Sequence, residues 1–310
     1  MDRRRFLKMA GYGAGVLTVP ALLGHCAKKS PPGTETQQIP KVFTSLTEEF
    51  DRFGRPGLQV FPGAGEFLSE KTGRIPMRLD HPKGGPIEAG SAKIYVGSGT
   101  SPTGPVEMTY REFASEEKHV HESGATHGFY DVEVPIPKPG VVDLAVLLES
   151  EKGDFYGFAV LEAAAEPVVP APGQPAVSTR TPTTADPSGV GFLCTRDPVC
   201  PHHGVSLDQA LQEGVPVVFV ISSPRLCTSG VCGPVLEEVI GVSEQSPGVR
   251  FVHLEPYRTE EPTVLSEPAL AWRLRSEPWT FIIGKDGNVA HRFEGPVTAA
   301  VLKDALTTVL

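Results

Sequence analysis

The residues best suited to chemistry lie between Val215 and Val242. An apolar run, Val217-Val218-Phe219-Val220-Ile221, leads through Ser222-Ser223-Pro224 to Cys227 and then to Cys232-Gly233-Pro234. Beyond it Val235, Leu236, Val239 and Ile240 recur at helical spacing and share one face. The pattern predicts a short buried strand that delivers a cysteine to the start of a helix. Proline is pre-set for the first helical turn, where its missing N–H costs nothing. Unpaired N–H groups and the positive end of the helix dipole stabilise a thiolate there, lowering the cysteine pKa and making it a better nucleophile at neutral pH. Such a pair of cysteines has three uses: redox exchange, a structural disulfide, or metal binding.

Over about the last third of the chain these residues resemble the thioredoxin superfamily. Cys232-Gly233-Pro234 matches the first three residues of the family's Cys-Gly-Pro-Cys motif, and Val235 stands in the fourth position. Glu277-Pro278-Trp279-Thr280 opens the apolar run Phe281-Ile282-Ile283, and Gly284-Lys285-Asp286-Gly287 makes a hairpin turn. The tail from Pro296 to Leu310 reads as a closing helix. The resemblance implies a thioredoxin-like α/β fold, thiol–disulfide exchange with protein thiols or disulfides, and no cofactor. It also implies a cis-proline at Pro278 facing the active cysteine, with Glu277 and Pro278 binding substrate. A dithiol needs one thiolate to attack and a second to resolve the mixed disulfide. With valine in the family's resolving position, Cys232 is expected to attack and Cys227 to resolve. The strand Val217 to Ile221 carries no acid to accept a proton beneath the cysteines.

At the other end, Asp2-Arg3-Arg4-Arg5-Phe6-Leu7-Lys8 resembles the twin-arginine export signal. The apolar stretch from Met9 to Leu23 is short for a bilayer span and is flanked like a signal peptide, the alternative being an uncleaved anchor. Leu23-Gly24-His25-Cys26 resembles a lipoprotein cleavage box, in which Cys26 takes the lipid. These resemblances imply export, an extracytoplasmic location at the cell envelope, and membrane attachment through a lipid. Setting Cys26 aside leaves Cys194, Cys200, Cys227 and Cys232, which allow three pairings. Disulfides persist outside the cytoplasm. The local pairing, Cys194 with Cys200 and Cys227 with Cys232, closes two small loops; the two crossed pairings stay open.

The chain has 310 residues, 40% hydrophobic and 21% charged, which suits globular structure. Its net charge of −9 argues against nucleic acid or an anionic lipid surface as the main partner. No phosphate loop or dinucleotide fingerprint occurs. Six prolines between Glu166 and Gly189 predict a stiff spacer between two independently folding parts. The organisation expected is therefore a signal over 1–26, a linker over 27–48, an all-β sandwich over 49–165, a Pro-rich linker over 166–189 and the α/β domain over 190–310. Strands are predicted at Ile75 to Leu79, Lys93 to Val96, Val106 to Tyr110, Phe129 to Val134, Val141 to Leu148 and Phe155 to Leu161, with Gly and Pro clusters between them. Phe129 to Leu148 looks like the end of exported bacterial immunoglobulin-like domains.

Two histidine groups bear on metal binding. His119, His121 and His127 lie among Glu116, Glu117 and Glu122; His-x-His can chelate copper or zinc, but a solvated loop is the reading preferred. In the second group Cys194 and Cys200 precede His202 and His203, and thiolates and imidazoles this close can form a metal site. Paired Cys-x-x-Cys halves are lacking, and Asp197-Pro198 suits a turn, so a structural Cys194–Cys200 disulfide and no metal site are expected. Ser206 with Gln209 predicts a capping box for a helix running to Glu213. Three other functions compete. A binding module would hold both disulfides inert. A Sco-like copper chaperone would join Cys227 and Cys232 to His253 or His291. Ser223-Pro224-x-x-Cys227-Thr228 is similar to a peroxiredoxin loop, whose register would put the cysteine at Val231.

Overall fold

Among the described residues, the stretch from 55 to 164 forms nine strands, the long ones on alternating apolar residues: β1 (Arg55–Pro56), β2 (Gln59–Pro62), β3 (Phe67–Leu68), β4 (Lys71–Asp80), β5 (Ser91–Ser98), β6 (Ser101–Glu112), β7 (Gly128–Ile136), β8 (Gly140–Ser150) and β9 (Gly153–Ala164). The structure, a computed structural model, describes residues 38–98, 101–114 and 127–310. The export signal, Cys26, His119 and His121 lie outside the described residues. All six predicted strands are present, within β4 to β9.

They form one curled sheet in the order β1-β9-β8-β5-β6-β7-β4-β2, with β3 also pairing β9. Strand β6 makes the curl: Ser101 to Met108 pair with β5, whereas Thr109 to Glu112 pair with β7. The two halves close on a shared core in which Ile75, Met77, Val132 and Val134 meet Ile94, Val142, Leu144, Val146 and Leu148. In β8 the residues between these, Ala145 and Leu147, point to the other face, as the two-residue period of a strand requires.

That outer face is covered by a segment expected to be linker. A 3₁₀ turn over Lys41–Leu46 runs into α1 (Thr47–Phe53). Val42, Phe43 and Phe50 pack there against Tyr95, Ala145, Leu147 and Tyr156. The linker predicted to reach residue 48 is therefore helical from Lys41 onward, because its apolar residues share one face that the sheet leaves open.

The C-terminal part is α/β. Helix α2 (Leu207–Ala210) precedes β10 (Val217–Ile221), α3 (Cys232–Ser243), β11 (Arg250–Leu254), α4 (Glu267–Ala271), β12 (Trp279–Ile283), β13 (Val289–Glu294) and α5 (Ala299–Leu306). The sheet order is β11-β10-β12-β13, with β10 and β11 parallel and the other pairs antiparallel. Val235, Leu236, Val239 and Leu302 cover one face, against Val218, Val220 and Ile282. Leu207, Ala269 and Trp272 cover the other, against Val217, Phe219 and Phe281. All five residues of β10 are thus buried, which is why the strand is uniformly apolar. The capping box of α2 forms as expected, though the helix ends at Ala210.

The Pro-rich segment contains no helix or strand, as its composition predicts, yet it is not a free spacer. Gly173 and Ala176 donate backbone hydrogen bonds to the carbonyls of Val289 and Gly287, and Val289 donates to Gln174. Prolines remove donors but leave carbonyls and intervening N–H groups free to pair. Arg292 of β13 meets Glu66 at 2.7 Å and also donates to the Val169 carbonyl at 2.9 Å. The Glu66 amide donates in turn to Glu294 at 2.7 Å. The described residues form one compact unit, so the few shared contacts expected of independent parts are not what they build.

Candidate functional site: two cysteine centres

Strand β10 ends at Ile221, and a ten-residue loop (222–231) carries the chain to Cys232, the first residue of α3. Cys227 and Cys232 are joined as a disulfide across this loop. The Cys227 amide donates to the Ser223 carbonyl at 3.1 Å, and Ser229 Oγ lies 3.0 Å from Cys227 Sγ. No side chain caps α3, so its first N–H groups remain free to favour negative charge at Cys232. Both cysteines are buried, at 2% and 0% exposure, while Thr228 and Ser229 of the covering loop are exposed.

A carboxylate stands beside them. A side-chain oxygen of Glu277 lies within 4.8 Å of both sulfurs. The resemblance implies a substrate-binding role for Glu277, and β10 carries no acid; the structure brings a carboxylate to the sulfurs from the loop that enters β12. Burial pushes its pKa up to about 7; the hydrogen bond donated by Tyr257 (3.0 Å) opposes this, and the nearby charge of Glu255 adds to it. The Glu277–Pro278 peptide is cis, as the resemblance implied. A cavity of about 580 Å³ adjoins this loop, lined by Thr228, Ser229, Val231 and Glu277 on one side and by Phe61, Met77 and Phe129 of the curled sheet on the other.

The second centre differs from expectation. Cys194 and Cys200 are free thiols, not the predicted disulfide. Their sulfurs, His203 and His253 each place a donor atom within 4.8 Å of the others. His253 Nδ1 is 3.6 Å from Cys194 Sγ, 3.3 Å from Cys200 Sγ and 3.1 Å from His203 Nε2. The hydrogen bond from Cys200, and then those from His203 and His253, hold the Cys194 thiol well below its ordinary range against the effect of burial. The same bond to Cys194, with burial, pushes Cys200 up.

His202, grouped with these residues in the sequence, turns away to lie against the Phe251 ring, and burial pushes its pKa down to about 4. Its carbonyl instead accepts from the His253 amide at 2.9 Å. His253 comes from β11, fifty residues beyond His203, and no local spacing announces it. His291, the other histidine considered for a copper site, hydrogen-bonds Thr308 Oγ1 at 2.8 Å on the far end of β13. The structure thus places His253 with the first cysteine pair, not with Cys227 and Cys232.

No protein-family model and no curated protein matches this chain. Among solved structures it is similar to an engineered protein (12% identity, TM-score 0.24, 34% of this chain), of which it spans only 20%. It is also similar to a thiol:disulfide interchange protein of the thioredoxin family from Chlorobium tepidum TLS, at 18% identity and a TM-score of 0.27, over 43% of this chain and 99% of that one. A third similarity is to the Lin-41 filamin domain, at 11% identity and a TM-score of 0.20, over 36% of this chain and 99% of that one. All three scores fall below 0.5, so the chemistry rests on the site's own geometry.

Proposed function

We propose that the protein is an extracytoplasmic thiol–disulfide oxidoreductase acting through Cys227 and Cys232. The observation that carries this reading is the Glu277 carboxylate beside a disulfide at the uncapped start of α3. In the reduced form Glu277 accepts the Cys232 thiol proton, and the helix start stabilises the thiolate. That thiolate attacks a substrate disulfide; a Cys232–substrate bond forms, and one substrate thiolate leaves and takes a proton. Deprotonated Cys227 then attacks the Cys232 sulfur, restoring the Cys227–Cys232 disulfide and releasing the second substrate thiol. Two electrons pass from the cysteine pair to the substrate. An external dithiol reductant returns the pair to its starting state, and the same steps reversed oxidise a substrate dithiol. The cavity between the covering loop and the curled sheet suits an extended protein segment, with Glu277 in its wall and Pro278 next to it in the chain.

Burial of both sulfurs favours a second reading, an inert disulfide in a binding module. Exchange requires the loop from Thr228 to Val231 to swing aside. The two readings separate on trapping: Cys227→Ser should accumulate long-lived mixed disulfides with a model peptide disulfide, and Cys232→Ser should abolish exchange. If neither variant alters exchange and the pair resists reduction by dithiothreitol, the disulfide is structural. The location is likewise a proposal, resting on the twin-arginine resemblance and on the lipid-box resemblance at Cys26.

A further inference from the structure

We infer that Cys194, Cys200, His203 and His253 form a tetrahedral zinc site, separate from the Cys227–Cys232 centre. Zinc–sulfur bonds of about 2.3 Å and zinc–nitrogen bonds of about 2.0–2.1 Å fix the edges of such a tetrahedron at roughly 3.8 Å between sulfurs, 3.6 Å from sulfur to nitrogen and 3.3 Å between nitrogens. The observed edges from His253 Nδ1 are 3.6 and 3.3 Å to the sulfurs and 3.1 Å to His203 Nε2. The three edges that meet at His253 Nδ1 thus match a zinc tetrahedron, and the other three lie within 4.8 Å, close enough for a small inward shift to complete it.

The surroundings orient the ligands. His253 Nε2 lies 2.9 Å from the Ser222 carbonyl oxygen, which can only accept, so this nitrogen carries the proton. Nδ1 faces the two sulfurs and His203, and metal binding would displace any proton shared there and turn its lone pair to the ion. A backbone carbonyl in this role is the usual partner of a zinc-bound histidine and sets its tautomer. Without a cation, converging lone pairs and thiolates would have to be satisfied by protons alone.

The donor chemistry selects the ion. Calcium and magnesium take oxygen ligands, and none of the four supplies one. Two thiolates balance a divalent ion in a place where net charge is costly, whereas monovalent copper would leave an uncompensated negative charge. Cys200, His203 and His253 are 3% exposed or less. Four protein ligands in a closed setting leave no position for substrate, so the site is structural. It would clamp the segment before α2 onto β11. Oxidation of the two sulfurs to a Cys194–Cys200 disulfide would remove half the ligands, so metal and disulfide exclude each other.

The test uses the full chain, reduced and stripped with a chelator, then titrated with cobalt(II) and back-titrated with zinc. One cobalt per chain is expected, with the intense visible bands of a tetrahedral ion and a sulfur-to-cobalt charge-transfer band, all lost on adding zinc. Cys194→Ser and His253→Gln should each weaken binding by more than the roughly 10–100-fold that loss of an outer-shell partner costs. Cys227→Ser combined with Cys232→Ser should leave it unchanged. The Cys227/Cys232 double variant, which keeps all four ligands and removes the other dithiol, decides the matter even where a ligand variant fails to fold. Absence of stoichiometric binding, a spectrum without the charge-transfer band, or loss of binding in the Cys227/Cys232 double variant would each overturn the site. So would a Cys194–Cys200 disulfide that persists under mild reduction.

Discussion

His253 Nε2 donates to the Ser222 carbonyl over 2.9 Å, tying the histidine of one cysteine centre to the root of the loop that carries the other. Ser222 is held a second time, through its amide to the Leu254 carbonyl at 3.2 Å. The root of the Cys227 loop is therefore fixed to β11 on both of its backbone groups.

Removing that anchor should loosen the loop. A buried hydrogen bond contributes about 1 kcal/mol, or roughly a fivefold change in an opening equilibrium. His253→Ala should therefore let dithiothreitol reduce Cys227–Cys232 roughly fivefold faster, as read by thiol release. An unchanged rate would show that the two centres are independent.

Glu277 makes stability fall as pH rises. Its folded pKa is about 7 against an ordinary 4.5, so the folded state holds the proton more tightly than the unfolded state does. The contribution is fully present below about pH 4.5 and is lost on rising through pH 7, by linkage on the order of 3 kcal/mol. Glu277→Gln should remove this decline. Urea melts at pH 5 and pH 8 measure it, and parallel pH profiles for the two proteins would sink the assignment.

The curled sheet and the α/β part should melt together. Gly295 has a φ of 75°, and a Cβ there would overlap the Gly63 carbonyl oxygen. Both tryptophans, Trp272 and Trp279, belong to the α/β part, so their fluorescence follows that part and, through Trp279, its seam with the curled sheet. In the wild type, fluorescence and far-UV circular dichroism should give one coincident transition. Gly295→Ala should cost about 3 kcal/mol and separate the two curves.

Arg292→Ala strikes the same seam through charge. It leaves Glu66 without its cation at a place where both side chains are largely buried. Breaking such a pair costs about 3–5 kcal/mol, far more than an exposed ion pair contributes. A loss below about 1 kcal/mol in urea would mean that water reaches the carboxylate.

Export is tested on the precursor. Arg3→Lys together with Arg4→Lys should leave full-length protein in the cytoplasm, and labelling with a radioactive fatty acid should depend on Cys26. Normal export of the double variant rules out the twin-arginine route.

What the sequence disclosed follows the range of the forces involved. The six long strands, the α3 start at Cys232 and the β12–β13 hairpin are written in patterns of a few residues, and each could be read. The two-residue strands β1 and β3 are too short to carry a period. Cys227 and Cys232 were legible because one loop joins them. The convergence of His253 on Cys194, Cys200 and His203 was not, because it depends on β11 pairing beside β10. Glu277 was visible as a residue, but its place beside the sulfurs depends on how the β12 entry loop crosses the sheet. Proline content excluded regular structure between 166 and 189 and was silent on whether that segment packs.

That segment also has a protective consequence. Strand β13 is an edge of its sheet, and edges with unpaired N–H and C=O groups invite pairing between copies. Gly173 to Ala176 occupy the beginning of that edge with a stretch too rich in proline to propagate a ladder. The chain thereby caps its own sheet against self-association, so a proteolytic nick that frees this strap should expose the edge and raise light scattering as copies pair along it.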